Sequence, residues 1–371
     1  MTAPPPRPLP RSITVLSGGV GGARFLQGLL RLVERTGGDA SETRVTVVAN
    51  TADDIWLHGL KVCPDLDTVM YTLGGGIDAE RGWGRTDETW HAKEELAAYG
   101  VEPTWFGLGD RDLATHLVRT QMLDAGYPLS QVTEALCRRW QPGVRLLPMT
   151  DDRVETHIAI DDDTAPSGQR AVHFQEYWVR LHAEVPARAV VAVGLEASTP
   201  GPGVTEAITD AEVVLVPPSN PVVSVGTILG VPGVRDAIRA TSAPVVGLSP
   251  VVAGSHVRGM ASQLLTAIGV EVGAGAVAEH YGARSAEGVL DGWLVDSADA
   301  GEVERVRAAG IACSAASARA DAAMSAVASW SVIINGTAEQ AMPAARTRST
   351  SPASALSTSQ PSSTPSPERA P

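Results

Sequence analysis

The chain alternates short β-branched runs with helical patterns, and this alternation limits its fold more than any other feature. The first run, residues 12–16, leads through a glycine-rich turn into a segment whose apolar residues recur at helical spacing. Runs of the same kind follow at Arg44–Ala49, 189–193, Val213–Val216, Val245–Leu248 and 293–295. Strands that alternate with helices form a parallel sheet covered on both faces. We therefore predict an α/β fold, a doubly wound, mostly parallel, Rossmann-like sheet.

The region from about 64 to 180 differs from the rest in composition. Together with Trp56 it contains six of the eight tryptophans, and it has helical patterns at 113–123 and 129–140. We predict a largely helical insertion at about 64–180 within a single Rossmann-like domain spanning 12–312. We expect a disordered, Pro-rich N-terminus at 1–11, a helical end at 313–340, and a disordered Ser/Thr/Pro/Ala-rich tail at 341–371.

The charge balance excludes several classes of function. The chain has 29 Lys and Arg against 42 Asp and Glu, a net charge of −13, so a broad basic surface for nucleic acid is not expected. No apolar stretch approaches the ~20 residues that a membrane span needs, and the N-terminal segment lacks the apolar centre of a signal peptide. The three cysteines are widely spaced and give neither a disulfide framework nor a CxxC metal site. We expect a cytoplasmic protein without nucleic-acid or membrane partners.

The glycine-rich turn after the first strand is the first candidate site. Gly18, Gly19, Gly21 and Gly22 lie where a strand enters a helix, and such loops let backbone N–H groups approach an anion. Arg24 follows one turn into the helix and favours phosphate. The spacing matches neither the dinucleotide fingerprint nor a P-loop. The alternative is a tight turn that binds no ligand.

Two pairs of carboxylates form the second candidate site. Asp53 and Asp54 follow the second strand, and Asp65 and Asp67 come shortly after them. A hard cation such as Mg²⁺ binds one or two carboxylates and bridges diphosphate oxygens. The alternative is that Asp65 or Asp67 caps the helix that begins there. Repulsion among four carboxylates favours a bound cation.

Two further loops carry polar residues near strands. Asp110 and Arg111 follow a short aromatic run predicted as a strand and precede a helix, so Arg111 can point at an anion; the alternative is a helix capped by Asp110 with a solvated arginine. Ser219 and Asn220 follow an apolar strand and are flanked by prolines, including Pro221. This rigid loop favours recognition of a base or a phosphate over a generic linker.

Seven motifs occur together and in order, and together they are more specific than any one of them. They are 17–24, 50–54, 63–68, 109–112, 150–153, 173–175 and 218–222. The chain resembles the phospholactate/phosphoenolpyruvate transferase family of coenzyme F-420 biosynthesis (CofD/FbiA), in particular its actinobacterial branch. The resemblance covers about 13–296.

The resemblance implies a specific reaction. A phosphoenolpyruvyl or 2-phospholactyl group moves from a guanosine diphosphate ester to the hydroxyl of the deazaflavin 7,8-didemethyl-8-hydroxy-5-deazariboflavin. GMP leaves, and (dehydro) coenzyme F-420-0 forms. The family precedent implies a homodimer.

The residues fit this chemistry in the following roles. Asp53 and Asp65 would hold Mg²⁺, directly or through water. Asp53 and Asp67 would be the catalytic residues, with Asp67 orienting or deprotonating the acceptor hydroxyl. The glycine loop would contact the phosphates, and Ser219 and Asn220 would hold the guanosine end. The other expected binding residues are Arg24, Asp110, Arg111 and Pro221. The flat deazaflavin would stack on tryptophans of the insertion.

The C-terminus departs from the family pattern, because an Ala/Ser-rich segment from Cys313 stands where members have another apolar run. Two other functions compete with the transferase. A non-catalytic regulator that binds a nucleotide sugar has a related fold, but the motif at 64–68 belongs to the transferase pattern. A nicotinamide dehydrogenase would need the missing dinucleotide fingerprint.

Overall fold

A seven-stranded parallel sheet forms the centre of the protein. The computed structural model describes residues 9–35, 43–256 and 259–316. The strands of the central sheet are β1 (Ser12–Ser17), β2 (Arg44–Ala49), β5 (Arg145–Pro148), β9 (Val213–Val216), β10 (Val245–Leu248), β13 (Gly292–Asp296) and β14 (Ala312–Ala316). Their order is β14-β13-β10-β9-β1-β2-β5, and all pairs are parallel. The predicted α/β fold is confirmed.

Helices cover both faces of this sheet. The α-helices of the described residues are α1 (Gly19–Arg35), α2 (Pro64–Leu73), α3 (His91–Ala98), α4 (Asp110–Asp124), α5 (Leu129–Trp140), α6 (Val204–Thr209), α7 (Val225–Gly230), α8 (Val234–Ala240), α9 (Ala261–Ala267), α10 (Ala274–Tyr281) and α11 (Val303–Ala308). Of these, α3 buries no residue and does not cover the sheet. In β2, Val45 and Val47 face the core against α1 and α2, whereas Val48 faces the opposite core. Burial on both faces explains the near-continuous apolar runs that the sequence shows.

A second, smaller sheet corrects one of the predicted strands. β6 (Glu155–Asp161), β7 (Gln169–His173) and β8 (Ala187–Val193) form an antiparallel sheet in the order β7-β6-β8. The run 189–193 therefore does not belong to the parallel sheet. Its Val191 and Val193 are exposed, as expected for an edge strand with one face toward solvent.

The predicted helical insertion at about 64–180 is helical only as far as Trp140. It contains α2 to α5, after which β5 joins the central sheet and β6 and β7 form the small sheet, with a π-helix at Glu176–Arg180. The aromatic run before Gly107 forms a loop, so the strand predicted directly before α4 is absent from this segment. Two hairpins, β3 (Ile55–Leu57) with β4 (Leu60–Val62) and β11 (Val251–Val252) with β12 (Ser255–His256), complete the elements.

The chain ends also differ from the prediction where they are described. Leu9 packs against the core and the Arg11 amide donates to Glu212, so order begins before residue 12. Cys313 lies in β14, which pairs with β13, and is therefore not helical. The predictions for 1–8 and for 317–371 lie outside the described residues. None of the helices in the described ranges is long and apolar enough to cross a membrane.

The strand order places a crevice between β1 and β9. From β1 the chain adds β2 and β5 on one side, and later strands lie on the other side, beginning with β9. Ligands of open α/β sheets bind beyond the carboxyl ends of the strands at such a switch point. The glycine loop follows β1, and Ser219 and Asn220 follow β9.

Candidate active site

The glycine loop and the loop after β9 contact each other across the crevice. The Ser219 hydroxyl donates to the Gly18 carbonyl oxygen at 2.9 Å and accepts from the Gly18 amide at 3.2 Å. Gly19 has a φ of +62°, the left-handed region that favours glycine. A Cβ on Gly21 would lie 2.5 Å from the Pro218 carbonyl oxygen. The glycines thus allow two loops that are 201 residues apart to pack closely.

Ser219 and Asn220 also shape their own loop. Asn220 Oδ1 accepts hydrogen bonds from the Val222 and Val223 amides at 2.9 and 3.2 Å, which closes a turn before α7. The Ser219 hydroxyl proton is used by Gly18. Pro221 is buried beneath this turn. The assignments of Ser219 and Asn220 to the guanosine end of a donor and of Pro221 to ligand binding stay predictions.

All four predicted carboxylates come together and are buried. Asp53 and Asp54 follow β2, whereas Asp65 and Asp67 lie in the first turn of α2, and their exposed fractions are 3%, 1%, 8% and 5%. The N-cap of α2 is Cys63, with no side-chain capping bond. Asp65 and Asp67 therefore do not cap α2, and the capping alternative is wrong.

The structure divides these carboxylates into two sets. Lys61 Nζ lies 3.2 Å from Asp54 Oδ2, and the Arg119 guanidinium pairs with Asp67 Oδ1. In the part of the chain that is described, neither Asp53 nor Asp65 forms an ion pair with a Lys, Arg or His side chain. We call Asp53 and Asp65 the acid pair.

Burial and nearby carboxylates raise both pKa values in the acid pair. Burial raises the pKa of Asp65 to about 6, with a further contribution from Asp54, while hydrogen bonds from Asn50 and the Gly19 amide oppose the shift. Burial also raises the pKa of Asp53 well above its usual value, and the charge of Asp65 adds to this. A bound cation would remove this repulsion.

The acid pair fits a magnesium site by its chemistry. Asp53 Oδ1 is buried and has no hydrogen-bond partner, so it can serve as a ligand. Over the described ranges, no three His, Cys, Asp or Glu side chains form a group that would hold a metal alone. Mg²⁺ commonly binds only one or two carboxylates and keeps its waters. Two carboxylates beside a glycine loop are compatible with that preference.

Asn50 organises the acid pair and was not among the predicted site residues. Its Nδ2 donates to Asp65 Oδ2 at 3.0 Å, and its Oδ1 accepts from Thr227 Oγ1 at 2.8 Å and from the Ala52 amide. Asn50 therefore connects the end of β2 to α2 and α7. The signals in the sequence were its position directly after a buried strand and its place at the start of the motif at 50–54.

His173 and Gln175 support the backbone of the first two carboxylates. Gln175 Nε2 donates to the Asp53 carbonyl oxygen at 3.0 Å. The Gln175 amide donates to His173 Nδ1, so the other ring nitrogen carries the proton and donates to the Asp54 carbonyl oxygen at 3.2 Å. Burial lowers the pKa of His173, which favours this neutral ring.

Asp110 and Arg111 lie in a network of helix caps. The Asp110 carboxylate accepts from the His91 and Ala92 amides at 3.0 and 2.9 Å, so it caps α3 and not its own helix α4. Glu88 accepts from the Arg111 amide at 2.6 Å and thereby occupies the N-terminus of α4. The motif at 109–112 also contains Asp112, whose carboxylate lies 3.4 Å from the His116 ring. Through His116 the motif is connected to the buried carboxylates.

Arg24 and the tryptophans complete the predicted set. Arg24 is exposed on α1 and forms no ion pair within the described ranges. Trp140 is buried against Tyr71, with ring centroids 4.7 Å apart, and so has no face available for a ligand. Trp83 packs on the Arg81 guanidinium but is 46% exposed. Trp56 is 43% exposed and follows Asp54 by two residues.

Comparison with known proteins gives a consistent family. The family model described as 2-phospho-L-lactate transferase CofD matches residues 13–333. A phosphoenolpyruvate transferase of Streptomyces coelicolor is 66% identical over 303 residues, which cover 82% of this chain and 91% of that protein. A protein of the same name from Mycolicibacterium smegmatis is 62% identical over 298 residues, with coverages of 80% and 90%.

A solved structure shares the fold. The crystal structure of protein BH3568 from Bacillus halodurans aligns with a TM-score of 0.55 at 17% identity and covers 87% of this chain and 99% of that chain. A second crystal structure of the same protein, described as a member of the UPF0052 family, aligns with a TM-score of 0.51. At this identity the likeness concerns the fold alone.

Proposed function

The chain belongs to the CofD family of 2-phospho-L-lactate transferases, and from this premise we propose that it transfers a phosphoenolpyruvyl group to a deazaflavin. Family membership and the high identity to phosphoenolpyruvate transferases make the protein a transferase. The proposed donor is a guanosine diphosphate ester of enolpyruvate, and the proposed acceptor is 7,8-didemethyl-8-hydroxy-5-deazariboflavin. The names of the relatives favour the enolpyruvyl over the lactyl donor.

One observation carries this proposal: an unpaired, buried acid pair lies beside a glycine loop at the switch point of the sheet. A Cβ on Gly18 would lie 2.7 Å from Asp65 Oδ2, so the carboxylates and the loop form one site. Phosphoryl transfer depends mainly on positioning and on neutralising charge. Asp53 and Asp65 would hold Mg²⁺, which when bound supplies charge neutralisation at the diphosphate.

In the proposed reaction, an oxygen–phosphorus bond replaces another at the same phosphorus. The acceptor hydroxyl oxygen bonds to the phosphorus that bears the enolpyruvyl group, and the bond from that phosphorus to the GMP oxygen breaks. The hydroxyl proton passes to Asp67, and GMP leaves. Asp67 suits this role because its Oδ2 is buried without a hydrogen-bond donor, whereas its Oδ1 is paired with Arg119.

The other groups of the crevice would bind the two substrates. Backbone amides at the start of α1, together with Arg24, would contact the phosphates of the donor. The side chain of Asn220 retains its Nδ2 donor for the guanosine end, because Oδ1 is used within the loop. Trp56 offers an exposed aromatic face close to Asp54 for the deazaflavin ring.

The decisive experiment measures GMP release from the purified protein. We expect release only when deazaflavin, Mg²⁺ and the guanosine diphosphate donor are all present, and mass spectrometry should identify the phosphoenolpyruvyl product when both donors compete. The matched variants are Asp67→Asn, which should lose turnover, and the surface variant Asp210→Asn, which should keep it. Tight binding of a nucleotide sugar without turnover would identify a regulator and contradict the proposal.

We also propose a homodimer, the state implied by the family resemblance. Light scattering on a size-exclusion column should give twice the chain mass of 38.6 kDa. A monomer at micromolar concentration would contradict this.

A further inference from the structure

Asp67 belongs to a buried cluster of charged side chains from α2 and α4, which we call the charge cluster: Asp67, Arg119, His116, Asp112 and Tyr71. The Arg119 guanidinium donates to Asp67 Oδ1 through Nη2. Its Nη1 donates to the Lys61 carbonyl oxygen at 3.3 Å and lies 3.0 Å from His116 Nδ1. Arg119 and His116 are both 1% exposed. Three acceptors therefore fix the guanidinium.

The arginine determines which nitrogen of His116 carries a proton. A guanidinium can only donate hydrogen bonds, so His116 Nδ1 must be the unprotonated nitrogen. His116 Nε2 then carries the hydrogen and lies 3.4 Å from Asp112 Oδ2, close enough for electrostatic attraction but without hydrogen-bond geometry. Asp112 Oδ1 in turn accepts from the Tyr71 hydroxyl at 2.5 Å. Tyr71 holds Asp112 beside the ring, and the ring accepts from Arg119.

The charge cluster satisfies one oxygen of Asp67 and leaves the other. Asp67 Oδ2 is buried without a hydrogen-bond partner. The nearest ring nitrogen is His116 Nδ1 at 3.8 Å, and in the tautomer assigned above it has no proton to donate. The arrangement is therefore asymmetric, with a guanidinium on Oδ1 and no donor on Oδ2.

From this asymmetry we propose that Arg119 is a positioning residue for the transfer reaction, with His116 and Asp112 as its supports. This inference rests on the proposed role of Asp67 as the proton acceptor. Arg119 holds Asp67 by Oδ1, so that Oδ2 alone is presented to the acceptor hydroxyl. A base that is held in one rotamer spends more of its time within reach of the proton than a mobile one does.

The first test substitutes Arg119 conservatively. Arg119→Lys keeps the charge but removes the planar fork that contacts three acceptors at once. We expect kcat for GMP release to fall about 10- to 100-fold, with the KM of donor and acceptor changed less than about twofold. In an Asp67→Asn background the same substitution should change kcat by less than about twofold. An equal loss in both backgrounds, or no loss in a folded Arg119→Lys protein, would overturn the proposal.

The second test uses His116 and does not depend on Arg119→Lys folding. Glutamine can accept from Arg119 and place an N–H donor near Asp112 as the neutral ring does, whereas leucine can do neither. His116→Leu should lower kcat about tenfold, and His116→Gln should restore most of that loss. If His116→Gln is as slow as His116→Leu, the ring itself takes part in the reaction and the positioning role is wrong.

A matched control separates positioning from general stability. Arg284 forms a comparable ion pair with Asp291 at 2.7 Å, at the amino ends of β10 and β13 and away from the crevice. Arg284→Lys should lower the melting temperature without changing kcat. Wild-type protein that releases no GMP would refute the proposed function. Full activity of Asp67→Asn would refute the role of Asp67 as the base. Either result also removes the role of Arg119, whereas the results for the Arg119 and His116 variants test positioning alone.

Discussion

The acid pair and the charge cluster lie side by side, contain the same kind of carboxylate and are equally buried, yet they are compensated differently. Asp67 has Arg119, His116 and two further polar groups around it. Within the described residues, Asp53 and Asp65 have amide and hydroxyl neighbours but no cationic partner. Asp67 therefore has a cation on one of its two oxygens, whereas Asp53 and Asp65 remain electrostatically unfavourable without a ligand.

This difference teaches which part of an acidic cluster is available for binding. Burying unpaired carboxylates costs free energy, which proteins retain where function requires it. A count of acidic residues alone would suggest that all four aspartates are equal metal ligands. We therefore propose that Asp53 and Asp65 hold the cation, whereas Asp54 and Asp67, which have cationic partners, act in structure and catalysis.

The largest expected effect comes from removing the cation that pairs with Asp67. Arg119→Met leaves Asp67 buried without its cation, so we expect the free energy of unfolding to fall by about 3–5 kcal/mol. Urea denaturation followed by circular dichroism measures this. The exposed pair of Arg188 with Asp161 provides the control, because Arg188→Met should cost less than about 1 kcal/mol. Equal effects of the two variants would remove the contrast.

The second prediction concerns the acid pair. Asp65→Asn should reduce Mg²⁺-dependent GMP release about 100-fold or more, because the cation loses a ligand. In Mg²⁺-free buffer the same variant should melt at a higher temperature than the wild type, since a buried like-charge repulsion is removed. Asp53→Asn should behave in the same way. Full turnover by both variants would show that the metal assignment is wrong.

The third prediction is a pH dependence that sharpens the comparison. The pKa of Asp65 is raised to about 6 in the folded protein, so the folded state binds this proton more tightly than the unfolded state. Without Mg²⁺, the free energy of unfolding should therefore rise by about 1 kcal/mol between pH 7 and pH 5. The gain should be lost as the pH rises through 6. Chemical denaturation at several pH values tests this, and Asp65→Asn should weaken the trend.

The smallest effect is expected outside both regions. Asp110→Ala removes the side-chain cap of α3 and should lower the free energy of unfolding by about 1 kcal/mol. Because the carboxylate is engaged with α3, kcat should stay within about twofold of wild type. A clear rise in the KM of the guanosine donor would instead support the binding role that the sequence predicts for Asp110 and Arg111.

Local patterns predicted most of the central sheet but not its edges. The strand at 12–16, the glycine loop and the helix after it are specified by neighbouring residues, and all were predicted. β5 and β14 were missed because neither Arg145–Pro148 nor Ala312–Ala316 contains a β-branched residue. The run at 189–193 resembled a buried strand, and only pairing with β6 shows that it belongs to another sheet.

The candidate site shows the same limit more sharply. The four acids, the glycines and the loop at 219–221 could be identified from the sequence because they follow strands. The division of the acids into two sets could not be identified, since it depends on contacts between residues far apart in sequence. Arg119 is 52 residues from Asp67, and Asn50 is 177 residues from Thr227. Such contacts depend on how helices pack, which no local spacing encodes. The capping alternative for Asp110 named the wrong helix for the same reason, because the helix that it caps is α3.

Asp65 lies against the glycine loop, since a Cβ on Gly18 would be 2.7 Å from Asp65 Oδ2. If Asp65 holds Mg²⁺ and the loop holds the donor, as we propose, binding of the two ligands is thermodynamically linked. The loop that would meet an incoming phosphate already faces an anionic side chain, so we expect the bare site to repel the donor. A cation on Asp65 would turn that repulsion into attraction. By reciprocity, the factor by which Mg²⁺ tightens donor binding must equal the factor by which the donor tightens Mg²⁺ binding. We therefore expect the two ligands to occupy the site together and seldom singly.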